Sequence, residues 1–416
     1  MIDRKSLTRA LAKQAAIDWV VVERDQDIVV DEPGSMGAQR QERRTRWLLT
    51  IHADTTNGRG SAAVTIDANE GDADHLVDQV AQLARLSVGP AWTSVPQAAP
   101  ARVDLLDPEF GDPIANVGLH KLHAAIPNRP VTIIPTITML REHVTVQTRL
   151  GFQTDWTATL ARVELIVATT DHSIQVTREA RRIQDLDLAN TVDGAIEDLK
   201  RIATATAPPL GPCGVVFTAD ALLHGDYGLW QAFVDQADAV VGKQGLTRYH
   251  ERLPIVPGAD HVPEPLDVTS NGALAFGTKS APVGDAGDAV REFALVTQGI
   301  AGSPGLSPRE AALDHREPNG GVRNLIVNSG TWDGEVSGRV LEIRRLRGLE
   351  VDPYTGDADI EVGLGVDRST GSSFAGGTLR LDLIAALARA KRSKNRTRRG
   401  SYEGPSAILI ERAQLI

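Results

Sequence analysis

Apolar residues recur at four-residue spacing at the start of the chain. Leu7, Leu11 and Ala15 stand among good helix formers, which predicts an amphipathic helix over residues 6–18. Strand patterns follow: an apolar run at 19–22, the alternation Thr45, Trp47, Leu49, Ile51, and a third run at 62–66. Asp72 and Asp74 then open a helix whose stripe is Leu76, Val80 and Leu83, with Gly89-Pro90 as its stop. Residues 89–114 carry five prolines and little periodicity, which predicts a linker between two subregions.

Beyond it, residues 131–134, 144–150, 163–168 and 174–177 read as an antiparallel sheet. A helix over 190–205 presents Val192, Ile196, Leu199 and Ala203 on one face. Pro208-Pro209-Leu210-Gly211-Pro212 cannot continue it, and marks a domain boundary. The expected organisation is an N-terminal α/β region, 1–209, with subregions 1–90 and 115–207, and a β-rich C-terminal domain, 210–416. The second half opens with a strand at 214–217 and a long helix over 219–241, striped by Leu222, Leu229, Phe233, Ala237 and Val240. A proline-rich loop region runs to about residue 284. Short strands follow at 293–296, 325–328 and 340–343, and glycines 363, 365, 371, 376 and 377 read as turn punctuation. This order predicts an α+β fold: mixed or antiparallel sheets in the first half, and a largely antiparallel second half with flanking helices.

Composition narrows the function classes. Hydrophobic residues make up 42% and charged residues 24%, the balance of a globular protein, while 4% aromatics leaves the cores to aliphatic side chains. A net charge of −10 argues against a nucleic-acid binder, whose affinity comes from cations displacing counterions. Cys213 is the sole cysteine, which excludes an internal disulfide and a multi-cysteine zinc cage. Residues 1–17 hold five charged residues and no signal-like apolar run, and no stretch approaches the roughly 20 apolar residues of a membrane span. The expectation is a cytoplasmic protein without membrane association.

No Walker A sequence, no strand-linked G-x-G-x-x-G and no G-x-S-x-G elbow is present. His120 and His123 stand at i,i+3 with no carboxylate beside them in sequence, and read as surface histidines. His250-Glu251 starts like a zinc helix, but Pro254 breaks it, so it reads as a loop. A basic run, Arg389, Lys391, Arg392, Lys394, Arg396, Arg398 and Arg399, lacks the interleaved aromatics of a nucleic-acid platform. It reads first as a solvated surface loop, and second as a docking segment for an acidic peptide or partner.

The stretch Leu222-Leu223-His224-Gly225-Asp226-Tyr227-Gly228-Leu229 resembles the zinc motif of the TldD/TldE (PmbA) peptidase family, Leu-Leu-His-Glu-x-x-Gly-His. His224 falls on the first metal histidine and Gly228 on the glycine. Gly225 replaces the general-base glutamate, and Leu229 replaces the second histidine. The resemblance also implies a third ligand, a cysteine shortly before the chain ends, and residues 394–403 contain none. Further likeness runs along the chain: Gly60-Ser61-Ala62-Ala63, the helix end Ala84-Arg85-Leu86, the turn, strand and tight turn of 285–299, Arg323-Asn324-Leu325, and the closing strand of 404–410.

In that family a metal-bearing TldD subunit and a metal-free TldE subunit enclose a chamber that degrades or trims unfolded peptides, including leader peptides of modified peptide antibiotics. The resemblance implies that this chain is TldE-like, binds no cofactor itself, pairs with a zinc-bearing TldD-like subunit, and is inactive alone. Two other readings stand beside it. One is a stand-alone peptide-binding protein of the same fold. The other is a divergent peptidase with a rebuilt metal site using His224 and Asp226, although on a helix those two lie about 200° apart.

Overall fold

A computed structural model describes residues 2–14, 16–32, 39–68, 71–93, 98–243 and 247–416. The first helix, α1 (Arg4–Ala12), is capped reciprocally: the Asp3 carboxylate accepts from Ser6 N, and the Ser6 hydroxyl accepts from Asp3 N. It buries Leu7, Ala10 and Leu11 and stops short of the predicted end, because the chain turns into a strand at Ile17. Ala15 lies outside the described residues.

Seven strands form the sheet of the first half: β1 (Ile17–Asp31), β2 (Arg40–Thr55), β3 (Gly58–Asp67), β4 (Val88–Gly89), β5 (Thr132–Thr148), β6 (Gln153–Ala168) and β7 (Ser173–Ala180). Their order is β4-β3-β2-β1-β5-β6-β7, with antiparallel pairings throughout. The runs predicted at 131–134 and 144–150 are thus one strand. Pro135 within it lies beyond the last residue of β5 paired with β1, so it takes no place in that ladder.

Three more helices, α2 (Ala73–Leu86), α3 (Ile114–Ala125) and α4 (Leu188–Ile202), join α1 on one face of this sheet. The register of α2 differs from the sequence reading. Ala73, Val77, Val80, Ala81 and Ala84 face the sheet, while Leu83 is 55% exposed. A helix on an apolar sheet approaches closely through small residues, and its three buried alanines supply that face. On the sheet's other face, Val20, Val22, Val144 and Val146 pack against Val283 of the second half.

The second half holds β8 (Gly211–Thr218), α5 (Ala219–Leu222), α6 (Gln231–Gln236), α7 (Ala239–Lys243), β9 (Val268–Asn271), β10 (Glu292–Thr297), β11 (Ile300–Ala301), α8 (Pro308–Leu313) and β12 (Asn324–Val327). It continues with β13 (Val340–Val351), β14 (Asp357–Asp367), β15 (Ser373–Phe374), β16 (Thr378–Asp382), α9 (Leu383–Arg389), β17 (Lys391–Arg392), β18 (Arg396–Arg399), β19 (Tyr402–Pro405) and β20 (Ala407–Leu415). One sheet runs β11-β10-β9-β12-β19-β18. In the other, the order β13-β8-β20-β16-β14 returns on itself, because β13 also pairs with β14. Val215, Phe217, Ile343, Ile360 and Ile408 from this circuit share one core with Leu229, Trp230 and Phe233. Gly363 and Gly365 lie inside β14 rather than in a turn. A β-carbon on Gly365 would stand 2.2 Å from the Phe374 ring, so the glycine makes room for that side chain.

A polar patch on the first sheet yields a pH expectation. His52 bonds Ser61 Oγ through Nδ1 at 2.7 Å, meets the Trp92 ring edge-on at 5.0 Å, and lies near Arg59. Burial, and next the Arg59 charge, push its pKa down to about 4. The unfolded chain therefore takes up a proton on this residue near pH 6.5 that the folded chain refuses until about pH 4. Its contribution to stability is present above pH 6.5 and lost as pH falls towards 4. In thermal melts between pH 7 and pH 4.5, His52→Gln is expected to lose less midpoint than the wild type over the same interval. Equal losses would remove His52 as the cause.

Candidate functional site

β8 leaves the barrel at Thr218 and enters α5, which lasts a single turn. The predicted helix over 219–241 is broken here for a backbone reason. Gly225 (φ +80°) and Gly228 (φ +56°) adopt left-handed conformations, and a β-carbon on Gly228 would stand 2.0 Å from Leu222 O. The chain resumes as a 3-10 turn over Gly228–Trp230, followed by α6 and α7. Leu222, Leu229, Phe233 and Ala237 of the expected stripe are all buried, and Val240 is exposed.

His224, Gly225 and Asp226 therefore share an exposed turn, and the helical argument for separating His224 from Asp226 does not apply. Desolvation nevertheless lowers the His224 pKa from its ordinary value. Asp226 accepts from Lys279 Nζ at 3.0 Å, and Tyr227 anchors the turn through a 2.7 Å bond from its hydroxyl to Arg323 O. Nearby Glu179 has a raised pKa, through burial first and the Asp226 charge second.

The segment in which the resemblance implies a third metal ligand does pack here. β18 and β19 form a hairpin whose turn, Gly400-Ser401, meets the 224–227 turn: Ser401 Oγ donates to Asp226 O at 3.2 Å. Thr278 N donates to Gly400 O at 3.3 Å. The residue types do not fit a zinc ion. One exposed imidazole, a glycine, a leucine enclosed in the core and a serine offer too few donors. Among the described residues, no three His, Cys, Asp or Glu side chains converge as a metal group.

The other histidine pairs stand apart from this place. His123 Nε2 lies 2.7 Å from Asp31 Oδ2, so a carboxylate distant in sequence does accompany it, while His120 is exposed. His250-Glu251 lies in a loop, and Glu251 pairs with Arg316 at 2.9 Å.

The basic run is not a solvated loop. Arg389 ends α9 and donates to Pro257 O at 2.8 Å, and Lys391 pairs with Glu411 at 2.6 Å. Arg392 is fully buried, donating to the carbonyls of Ala390, Glu264 and Pro265, which removes it from any docking surface. Lys394 is exposed, Arg396 pairs with Glu403 at 3.1 Å, and Arg398 donates to Ala275 O. Arg399 reaches Asp220, at the start of α5.

Asp220 is the residue that sequence reasoning missed. Its carboxylate also meets Arg178 of β7 at 2.7 Å and Arg345 of β13 at 3.1 Å. Burial alone would raise its pKa, but the three guanidiniums outweigh that and hold it well below the usual carboxylate range. No local signal marks it, because its partners come from three separate strands.

The fold is an α+β scaffold, part open sheet and part closed barrel, in which the 224–227 turn brings few metal donors together. That scaffold is shared with TldE from Thermococcus kodakarensis, at a TM-score of 0.73 and 14% identity over 98% of each chain. It is also shared with two proteins described as candidate modulators of DNA gyrase. The Bacteroides thetaiotaomicron protein matches at TM-score 0.75 and 12% identity, over 100% of this chain and 99% of that one. The Thermotoga maritima protein matches at TM-score 0.74 and 15% identity, over 99% of each. No protein-family model and no curated protein sequence matches the chain.

Two stability tests follow from the turn. Leu229→Ala, at a fully enclosed site, is expected to cost about 2–5 kcal/mol in denaturant unfolding. Gly228→Ala is expected to cost more than Gly225→Ala, since both impose left-handed strain but a β-carbon on Gly225 meets nothing within 4 Å. A reversed order would contradict the turn geometry.

Proposed function

We propose that this chain is the non-catalytic, metal-free subunit of a TldD/TldE-type heteromeric zinc peptidase that degrades or trims unfolded peptides, leader peptides of modified peptide natural products among them. One observation carries the reading. The fold of TldE is kept along the whole chain, while the positions for the base and the second metal ligand hold Gly225 and Leu229. Zinc hydrolysis needs about three protein ligands and a carboxylate to take the proton from the bound water. In this reading both belong to a TldD-like partner.

This chain's own contribution is binding and enclosure. β7 ends the order of its sheet, and its outer main-chain groups suit an extended peptide. The boundary at residues 208–212 belongs to the same reading, separating a sheet-bearing N-terminal region from the barrel-bearing C-terminal domain. A cytoplasmic location agrees with the lone buried Cys213. Among the described residues, no helix is long and apolar enough to cross a membrane.

The test is to assay unstructured peptides with this chain alone, a TldD-like chain alone, and the mixture. Cutting is expected in the mixture alone and is abolished by chelator. The isolated chain is expected to hold well under one zinc after purification without chelator, and His224→Ala is expected to change the rate of the mixture only slightly. Cutting by this chain alone, retained through several purification steps, would overturn the reading.

A further inference from the structure

Asp220 belongs to a larger set of charges that is not balanced. Arg345 Nε lies 2.7 Å from Asp198 Oδ2, Arg344 Nε lies 2.5 Å from Asp198 Oδ1, and Arg344 Nη1 meets Glu342 at 3.0 Å. Glu342 in turn meets Arg368 at 3.2 Å. Five guanidiniums (Arg178, Arg344, Arg345, Arg368, Arg399) thus share three carboxylates (Asp198, Asp220, Glu342), which leaves two positive charges in excess.

The excess is concentrated at Asp220, where three arginines share one acid. Arg345 Nη2 is buried and lies 3.1 Å from Asp220, yet its angle makes no hydrogen bond, so that donor is close to charge but unsatisfied. Arg178 shows the crowding: burial, and then the charges of Arg399 and Arg345, bring its pKa down to about 10 against the pull of Asp220. The side chains of Arg178 and Arg345 are nearly enclosed, whereas that of Arg399 is 31% exposed. Arg399 also ends β18, directly before the Gly400-Ser401 turn that packs on the 224–227 turn. Positive charge that is only partly neutralised, with its accessible member beside the candidate site, suits an incoming anion.

We propose that this arginine cluster, entered at Arg399, binds a carboxylate of the peptide substrate. The proposal rests on the peptide-handling reading above. A planar guanidinium offers two parallel N–H donors that match the two oxygens of a carboxylate, and such charge-assisted pairs are about twice as strong as neutral ones. The carboxylate comes either from an acidic side chain or from the peptide's C-terminus, and the same contact serves both.

The experiment measures binding of four fluorescent unstructured peptides to the full chain alone at low salt: one with a single Glu and a free C-terminus, its Glu→Gln form, its C-terminal amide, and the form carrying both changes. The doubly neutral peptide is expected to bind about tenfold more weakly, as loss of one charge-assisted contact predicts. Whichever single change reproduces that loss identifies the source. Arg399→Gln is expected to bring the acidic peptide to the affinity of the neutral one and leave the neutral one unchanged. Equal affinities for all four peptides on the wild type, or no saturable binding of any, would overturn the proposal, and so would a preference that survives Arg399→Gln. Should that variant fail to fold, the wild-type series decides alone. Cleavage of the doubly neutral peptide by the mixture with a TldD-like chain separates the two readings, because it upholds the subunit role whether or not the carboxylate preference exists.

Discussion

A buried carboxylate sets how the two halves of this chain meet. Asp198 on α4 is 2% exposed and is held by Arg344 and Arg345, neighbours on β13 of the barrel. An isolated charge at such depth is very costly, and removing one partner of a buried pair typically costs about 3–5 kcal/mol. α4 is therefore confined to the place on the barrel where both guanidiniums reach it. Arg181 adds a second tie of a different kind, since its guanidinium donates to the carbonyls of Gly277, Thr278 and Ser280 and fixes the loop that leads to Lys279. With both ties in place, β7, the 224–227 turn and the β18–β19 hairpin converge. The candidate site is thus a product of the joint between the halves and cannot be assigned to either alone.

Much of the fold was legible because period and punctuation agree with it. Alternation at Thr45–Ile51 falls within β2, acids at residues 72 and 74 lie at the start of α2, and Leu222, Leu229, Phe233 and Ala237 are core residues as the stripe required. The errors have physical causes. On α2 the sequence pattern favours the larger leucines, but packing on a sheet buries Ala73, Ala81 and Ala84. Between Leu222 and Leu229 a helical period coincides by chance with burial on both sides of a glycine turn, so the residues were right and the element was wrong. Gly365 was read as punctuation, although its cause lies in the ring of Phe374, which no local pattern reveals.

The site was legible only as an absence. Gly225 and Leu229 carry the sequence expectation that base and second ligand are lacking, and the structure adds that the turn is built around two left-handed glycines. Asp220, Arg178 and Arg345 could not be grouped in advance, since cross-strand charge pairs depend on register and on which sheets touch. The basic run shows the same limit from the other side. Its charges are plain in the sequence, yet one is fully enclosed and others are committed to partners on neighbouring elements.

The barrel circuit has a consequence for how the molecule is made. β8 pairs with β13 on one side and β20 on the other, and the circuit closes between β16 and β20 through Leu379 opposite Leu415. The apolar run Val215, Val216, Phe217 therefore emerges from the ribosome well before either of its neighbours exists. Pairings so distant in sequence form slowly, and an unpaired strand of this kind is a template for association with other chains. Production of this protein is thus most vulnerable during synthesis of residues 219–415, when β8 exists and the barrel cannot yet close.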